Sequence, residues 1–560
     1  MITFILAFLY LLIINYTFGW MLSKVIGKVS GYQIQNFEII QLLGLVVVTT
    51  FASYFSLFFR ISWEFQLALL IGCIVINLVW KPYRNFRFPV LRQLSVSSWV
   101  MVLMIIISTA IILNATSLTP ANSDTSIYHA QTIHWIEEYP AVPGLANLHA
   151  RLGYNSSWLL LNAVFSFSFL GLGSFHFMTG FLFFVASLYF ASGIKNIQSG
   201  SIKISDILKT FFLVAIFIFL IDQASSPGTD APATIFVWII FTEIVCMIEE
   251  RTIFISSNMI YLFILSIFAL TIKLSVFPLI LVNLPIIIKA KQSRKIFGII
   301  AALLLILIPY LIRNLILTGY LVFPGPEIDI FKFDWRIPIS WLGNEVKVIH
   351  WFAALPRTDK SEFYSMAAKQ WIPIWFFNQL PRHQAVLISI LFMPLFYSIL
   401  APFKKWRDYL RDNKYLAFPI SIAYAGVIYW FLSAPAIRFG YGFLLASVGL
   451  GFSMLIGFFY SRIMQLRVVG SYAIVPLLLT GVIIFSRSTF KLADFQSRIL
   501  LPKNYPSWSS QPCTFGNFTI LCQAGYDACW YDPFPCAIRG NENVEMRGTD
   551  FRQGFRNLEK

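Results

Sequence analysis

Runs of about twenty apolar residues, parted by short polar connections, recur along most of the chain. A helix of roughly that length crosses the ~30 Å hydrocarbon core of a bilayer. The pattern predicts spans near 3–22, 37–59, 65–80, 97–113, 174–193, 207–222, 231–248, 254–271, 274–289, 296–316, 384–401, 416–433, 439–460 and 468–486. The stretch 157–172 is also apolar, but short. The first run lacks the charged leader and small-residue cleavage site of a signal peptide, so it reads as a retained span.

Charge then orients the spans. One set of connections is basic: Lys24 and Lys28; Lys81, Arg84, Arg87 and Arg92; Lys195, Lys203 and Lys209. It continues with Lys289, Lys291, Arg294 and Lys295, with Lys404, Lys405, Arg407, Arg411 and Lys414, and with Arg462 and Arg467. The alternate short connections hold only Arg60, Lys273 and Arg438. By the positive-inside rule the first set is cytoplasmic, so 114–156, 317–383 and 487–560 face outward. The alternation closes if 157–193 crosses once, with a membrane-dipping helix at 157–172 before a span at 174–193. The expected fold is an all-α polytopic membrane protein of about fourteen transmembrane helices, with both termini external. Three spans (1–96) precede a transmembrane module (97–486), and an external tail (487–560) follows.

Composition narrows the class further. A chain of 560 residues that is 58% hydrophobic and 12% charged, with mean hydropathy +0.72, is no cytosolic enzyme, nucleic-acid binder or disordered scaffold. The net charge of +16 follows from the cytoplasmic loops and implies no nucleic acid partner. Cys73 and Cys246 fall in apolar spans and read as core residues. Cys513, Cys522, Cys529 and Cys536 crowd into the external tail, which favours disulfides. Pairing of neighbours, Cys513–Cys522 and Cys529–Cys536, is preferred among three connectivities; a four-cysteine zinc site lacks the usual C-x-x-C spacing.

The polar chemistry lies outside. In 114–156, Asp124, Tyr128, Gln131, Trp135 and Glu138 recur at helical spacing as one polar-aromatic stripe, with Ile127, Ile133 and Ile136 elsewhere. Such a helix suits the bilayer interface. Asp124, at its start, reads either as an N-cap or as a functional carboxylate. In the turn SSPGTDAPAT, Asp230 stands just before a proline that opens a span, and Asp222 ends the preceding span. These carboxylates could converge on a metal or on an acceptor hydroxyl. Lys273, Arg313 and Arg438 are isolated outer-side cations. Each could snorkel to lipid headgroups, but three together fit a phosphate site better.

Four local sequences now resemble the C-type glycosyltransferases (GT-C), whose donors are sugars on lipid phosphates. SDTSIYHAQTIHWIEEYP is similar to their acidic first-loop motif and juxtamembrane helix, and SPGTDAP to their second acidic motif. IRNLILTGYLVFP resembles an Arg-Asn, Thr-Gly, Pro pattern after a span, and SAPAIRFGYGF a late arginine motif. Asp124-Thr125 stands where many members have Asp-Glu. The whole chain, tail CWYDPFPC included, also resembles a group of bacterial multi-pass membrane proteins of uncharacterised function.

The resemblance implies an inverting glycosyltransferase of the bacterial inner membrane, using a polyprenyl-phosphate sugar and a glycan, lipid or protein acceptor. Asp124 would be the general base. Asp230, Lys273, Arg313 and Arg438, with Tyr128 and His129, would bind substrate, and Asp124 and Asp230 are the candidates for a divalent cation. Two alternatives stand beside it. A ligase or polymerase of O-antigen type would use Arg336, His350, Arg357, Arg382 and His383 in the large loop. A secondary transporter would need mid-span charges, for which only Glu243 and Lys273 offer themselves, and no internal repeat is found.

Overall fold

The computed structural model describes residues 1–31, 33–84, 99–120, 122–198, 202–252, 259–285, 295–325, 329–460, 496–523 and 528–559. The expected span 468–486 and the loop cations Arg87, Arg92, Lys289, Lys291, Arg294, Arg462 and Arg467 lie outside the described residues. Helices dominate. Among the described residues nine are long and apolar enough to cross a membrane. Four further expected spans are shorter apolar helices: 101–116, 178–194, 260–272 and 274–283. Rows of exposed apolar side chains, such as Leu67, Leu70, Ile74 and Leu78 on one helix, match a surface that meets lipid rather than water.

The amino-terminal helices α1 (Ile2–Ser30), α2 (Phe37–Phe55) and α3 (Trp63–Trp80) share one hydrophobic core with the rest. Glycine brings α1 and α2 together. A Cβ on Gly44 would lie 2.0 Å from the Asn15 carbonyl oxygen, so only glycine allows the two backbones this close. Beyond α4 (Trp99–Thr116) the chain forms a π-helical turn, Thr125–His129, that continues into α5 (Ala130–Glu138). The next helix, α6 (Ser157–Val164), is buried along its whole length. Ser156 Oγ donates to the Ile272 carbonyl at 2.8 Å, while His176 meets the Lys503 carbonyl at 2.8 Å. From there α7 (Met178–Gln198) leads to α8 (Ile204–Ala215), α9 (Asp230–Glu249) and α10 (Ile260–Ile272).

The loops expected on one side meet each other. Ile61 N–H donates to Ile136 O at 2.9 Å and Ala141 N–H to Ser56 O at 2.8 Å. Thr125 and Ser226 share a hydroxyl hydrogen bond at 2.9 Å, and Ile2 N–H reaches Ile499 O at 2.8 Å. The basic connections gather elsewhere: Glu249 accepts from Ile204 N–H at 2.6 Å, and Gly457 packs against Tyr409 and Ile204.

The tail is a small β-structure. Strands β1 (Ser510–Thr514), β2 (Thr519–Gln523) and β3 (Cys536–Ala537) form a three-stranded sheet in that order, β1–β2 antiparallel and β2–β3 parallel. A two-stranded antiparallel pair joins β4 (Val544–Met546) to β5 (Phe555–Asn557). Disulfides link Cys513 to Cys522 and Cys529 to Cys536, the neighbour pairing preferred from the sequence.

The polar-aromatic stripe of the first loop does not face a bilayer interface, as its composition suggests. Gln131 and Trp135 are buried beneath the tail, where Trp135 meets Phe534 (ring centroids 5.0 Å apart), Phe551 and Phe555. Ile133 and Ile136 face the main core. The helix is buried on both flanks because a distant part of the chain supplies the second apolar surface.

Candidate functional site

Asp124 stands at the N-terminus of the π-helical turn, but its side chain makes no capping hydrogen bond. Asn122 instead accepts from the Asp124 N–H at 2.9 Å, which closes the turn and leaves the carboxylate directed elsewhere. It meets Arg438 Nη2 at 2.5 Å and Arg151 Nη1 at 3.7 Å. π-Helical turns of this kind are frequent at functional positions.

Asp230 occupies the first turn of α9, where a carboxylate is favoured by the helix dipole. It forms an ion pair with Lys273, and Arg438 Nε lies 3.4 Å from its second oxygen. Lys273 sits at a break: α10 stops at Ile272, Lys273 is extended, and a 3₁₀ helix, Leu274–Asn283, follows. The break frees a lysine that a continuous helix would hold against its own stem. The Lys273 ammonium also lies over the Phe439 ring, 3.7 Å from its centroid. Arg438 belongs to the first turn of the helix Ile437–Tyr460, so four segments far apart in sequence supply four alternating charges.

These groups line a cavity of about 420 Å³. Its charged end holds Asp124, Asp230, Lys273, Arg438 and Arg151. The remaining wall is largely apolar, with Leu159, Ile272, Leu274, Ile349 and Phe352 among the lining residues. Tyr128 and His129 line it too. Burial pushes the Tyr128 phenol well above its usual range and lowers His129 to about 4, so the imidazole is neutral at pH 7. His129 Nε2 is buried without a hydrogen-bond partner among the described residues.

Of the residues expected from the sequence, the structure brings together Asp124, Tyr128, His129, Asp230, Lys273 and Arg438. Arg313 is not among the lining residues. It is buried in the helix Lys295–Thr318, and its Nη1 donates to Ser56 Oγ at 2.9 Å, tying that helix to the end of α2. Arg151, Tyr154 and Glu345 were not singled out by the sequence. Tyr154 donates to Glu345 at 2.7 Å, and Arg151 Nε lies 3.6 Å from the same carboxylate. Arg151 had a signal, being one of few cations in the outward set; Glu345 had none.

The residues do not fit a divalent cation. Both carboxylates are matched by basic side chains rather than by further acidic or imidazole ligands, and no group of three or more such ligands occurs among the described residues. The large-loop residues behind a ligase reading do not line the cavity either. Arg336 pairs with Asp329 at 2.8 Å, His350 packs among Phe363, Tyr364 and Trp371, and Arg382 donates to the Ile218 carbonyl at 2.8 Å.

Fold and cavity define a helical membrane-type protein with an ion-paired pocket and a disulfide-bonded tail. The chain belongs to the family described as Domain of unknown function (DUF8201), which matches residues 1–445 and so includes Asp124, Asp230, Lys273 and Arg438 but not the tail. No curated protein and no solved structure matches the chain.

Proposed function

We propose that the protein is an inverting glycosyltransferase of the bacterial inner membrane. It moves a sugar from a polyprenyl-phosphate donor to an acceptor on the external face. One observation carries this reading: two carboxylates and two cations from four segments converge on one cavity whose other wall is apolar. A phosphate needs the cations, a prenyl chain needs the apolar wall, and a hydroxyl nucleophile needs a base.

In this scheme the acceptor oxygen attacks the anomeric carbon while the bond from that carbon to the phosphate oxygen breaks. Asp124 takes the hydroxyl proton. The phosphate leaves with the electron pair, and Lys273 and Arg438 balance its charge. Without donor, those cations are held by Asp124 and Asp230. An arriving phosphate offers them a second anion, loosens the Arg438–Asp124 pair and leaves Asp124 able to accept a proton. Donor binding thereby prepares the base. Neutral His129, with an unpartnered buried nitrogen, suits a hydrogen bond to a sugar hydroxyl.

The test compares two substitutions in the purified full chain, supplied with synthetic geranylgeranyl-phosphate monosaccharides. Asp124→Asn should retain donor affinity and lose turnover by ~10²-fold or more. Lys273→Gln should weaken affinity and turnover together. Wild-type turnover in Asp124→Asn, or no affinity of the native protein for geranylgeranyl phosphate, would refute the scheme.

A further inference from the structure

A second cavity, of about 530 Å³, lies beside the first and shares Arg151 with it. Three separate parts of the chain build it: the first external loop around 148–151, the helix Ile339–Ala354, and tail residues 538–541 just beyond Cys536. Both volumes fall in the range of small-molecule sites.

The helix Ile339–Ala354 is the partition. Trp341, Asn344, Glu345 and Val348 recur at three- and four-residue steps and line the second cavity. Val346, Ile349 and Phe352 lie on another face and line the first. One helix thus turns a polar-aromatic face to one chamber and an apolar face to the other. Arg151 lines both. Its guanidinium lies 3.6 Å from Glu345 on one side and 3.7 Å from Asp124 on the other, so this ion-paired gate is all that its side chain puts between the second cavity and the Asp124 carboxylate.

The two chambers differ in what they can recognise. The second is lined by the amides of Asn344 and Asn541, the Glu345 carboxylate and the Trp341 indole, with Lys360 donating to Asn344 Oδ1 and Tyr154 to Glu345. The Trp341 Nε1 donates to Glu559 at 3.2 Å, which leaves the ring face rather than the N–H for a ligand. Donors and acceptors of both kinds beside an aromatic ring suit a polyhydroxylated ligand. Amides and carboxylate pair with neighbouring hydroxyls, and the ring takes the C–H face of a sugar.

We infer that the second cavity is the acceptor site and that its ligand is a glycan segment, an assignment that rests on the transferase reading above. The attacking hydroxyl passes the Arg151–Glu345 gate; its oxygen bonds to the anomeric carbon, its proton goes to Asp124, and the donor phosphate departs with the electron pair in the first cavity. The tail then has a function beyond capping, since residues 538–541 complete the chamber wall.

The experiment uses the full chain in lipid nanodiscs with two probes: a printed oligosaccharide array for the second cavity and geranylgeranyl phosphate for the first. Trp341→Ala and Asn344→Ala should each weaken array binding about tenfold or more, with geranylgeranyl phosphate affinity unchanged. Trp341→Phe, which keeps a ring, should recover part of it. Thermal unfolding of each variant identifies loss of fold, and Asn344→Ala, at an exposed helical position, keeps the test valid if Trp341→Ala unfolds. Absence of saccharide binding, or binding indifferent to Asn344 and Trp341, overturns the acceptor assignment while the donor reading stands. Lowered geranylgeranyl phosphate affinity in these variants overturns it as well, by making the chamber part of the donor site. Saccharide binding that depends on Trp341 in a protein with no geranylgeranyl phosphate affinity removes the transferase reading, and leaves a saccharide site without an acceptor function.

Discussion

Asp124 occupies the position of a helix cap without doing a cap's work, because the Asn122 side chain accepts its backbone N–H and its carboxylate is left to Arg438 and Arg151. That distinction is invisible in the sequence, where an aspartate after Asn-Ser at a helix start reads equally well as a cap. The rarity of charge on the outward side was the useful signal for Asp230, Lys273 and Arg438. The same signal misdirected the reading of Arg313, whose acceptor, Ser56, lies at the end of another helix. This separates the two arginines experimentally. Ser56→Ala leaves a buried guanidinium short of its acceptor and should cost about 1.5–3 kcal/mol of stability. Its geranylgeranyl phosphate affinity should equal that of the native protein, whereas Arg438→Gln should lose affinity without a comparable fall in thermal stability. Loss of phosphate affinity in Ser56→Ala would return Arg313 to the site.

The π turn and α5 form one element clamped between the transmembrane core and the tail. Gln131 is the clasp: its Nε2 donates to the carbonyls of Trp530, Tyr531 and Pro533 at 2.9–3.1 Å, and its Oε1 accepts from Cys536 N–H at 3.1 Å. His134 lies stacked between Tyr531 and Phe534, with centroids 4.1 and 3.9 Å away. Helical periodicity identified this element, and crowding of cysteines identified the tail as disulfide-bonded. Neither could show that the two dock, because the contacts join opposite ends of the chain. Docking should respond to pH through Glu137, which accepts from Tyr531 and Ser174 and is raised by burial to about 7 from an ordinary 4.5. The folded state then binds more protons than the unfolded one between those values. The stability from this group is full below about pH 4.5 and is lost as pH rises through about 7. His129, lowered by burial to about 4, acts oppositely, its contribution being lost as pH falls from about 6.5 through 4. Of these two groups only Glu137 titrates above about pH 6.5, so comparison with a variant lacking its carboxyl isolates its slope. Glu137→Gln, permanently neutral, should therefore flatten the decline in thermal stability between about pH 6 and 8. An unchanged slope would mean that Glu137 is ionised in the folded protein.

For the whole molecule, alternation of basic and weakly charged connections is a long-range constraint read from local composition, which groups the loops before any docking contact is known. Lysine and arginine need no tertiary partner to declare a side, since the bilayer itself sorts them. The described contacts agree with that grouping: 56–62 bonds to 136–141, Ser226 to Thr125 and Arg438 to Asp124, while the loops carrying Lys203 and Tyr409 meet each other. Contacts show which loops meet, and the side of the membrane that each faces belongs to the transferase proposal. Gly343 and Arg552 are exposed on the cavity side, and a Cβ at Gly343 would meet nothing within 4 Å. Lys28 and Lys404 are exposed on the basic side. In intact spheroplasts, a membrane-impermeant maleimide should label Gly343→Cys and Arg552→Cys, and should reach Lys28→Cys and Lys404→Cys only after permeabilisation. Cys73 is buried, so the native background should be low. The reverse pattern would keep the fold and turn the cavity to the cytoplasm, where a reducing milieu opposes the Cys513–Cys522 and Cys529–Cys536 bridges. The disulfides and the positive-inside rule thus make the same demand by unrelated physics, one through redox chemistry and the other through charge translocation. A labelling result that contradicts one must contradict both.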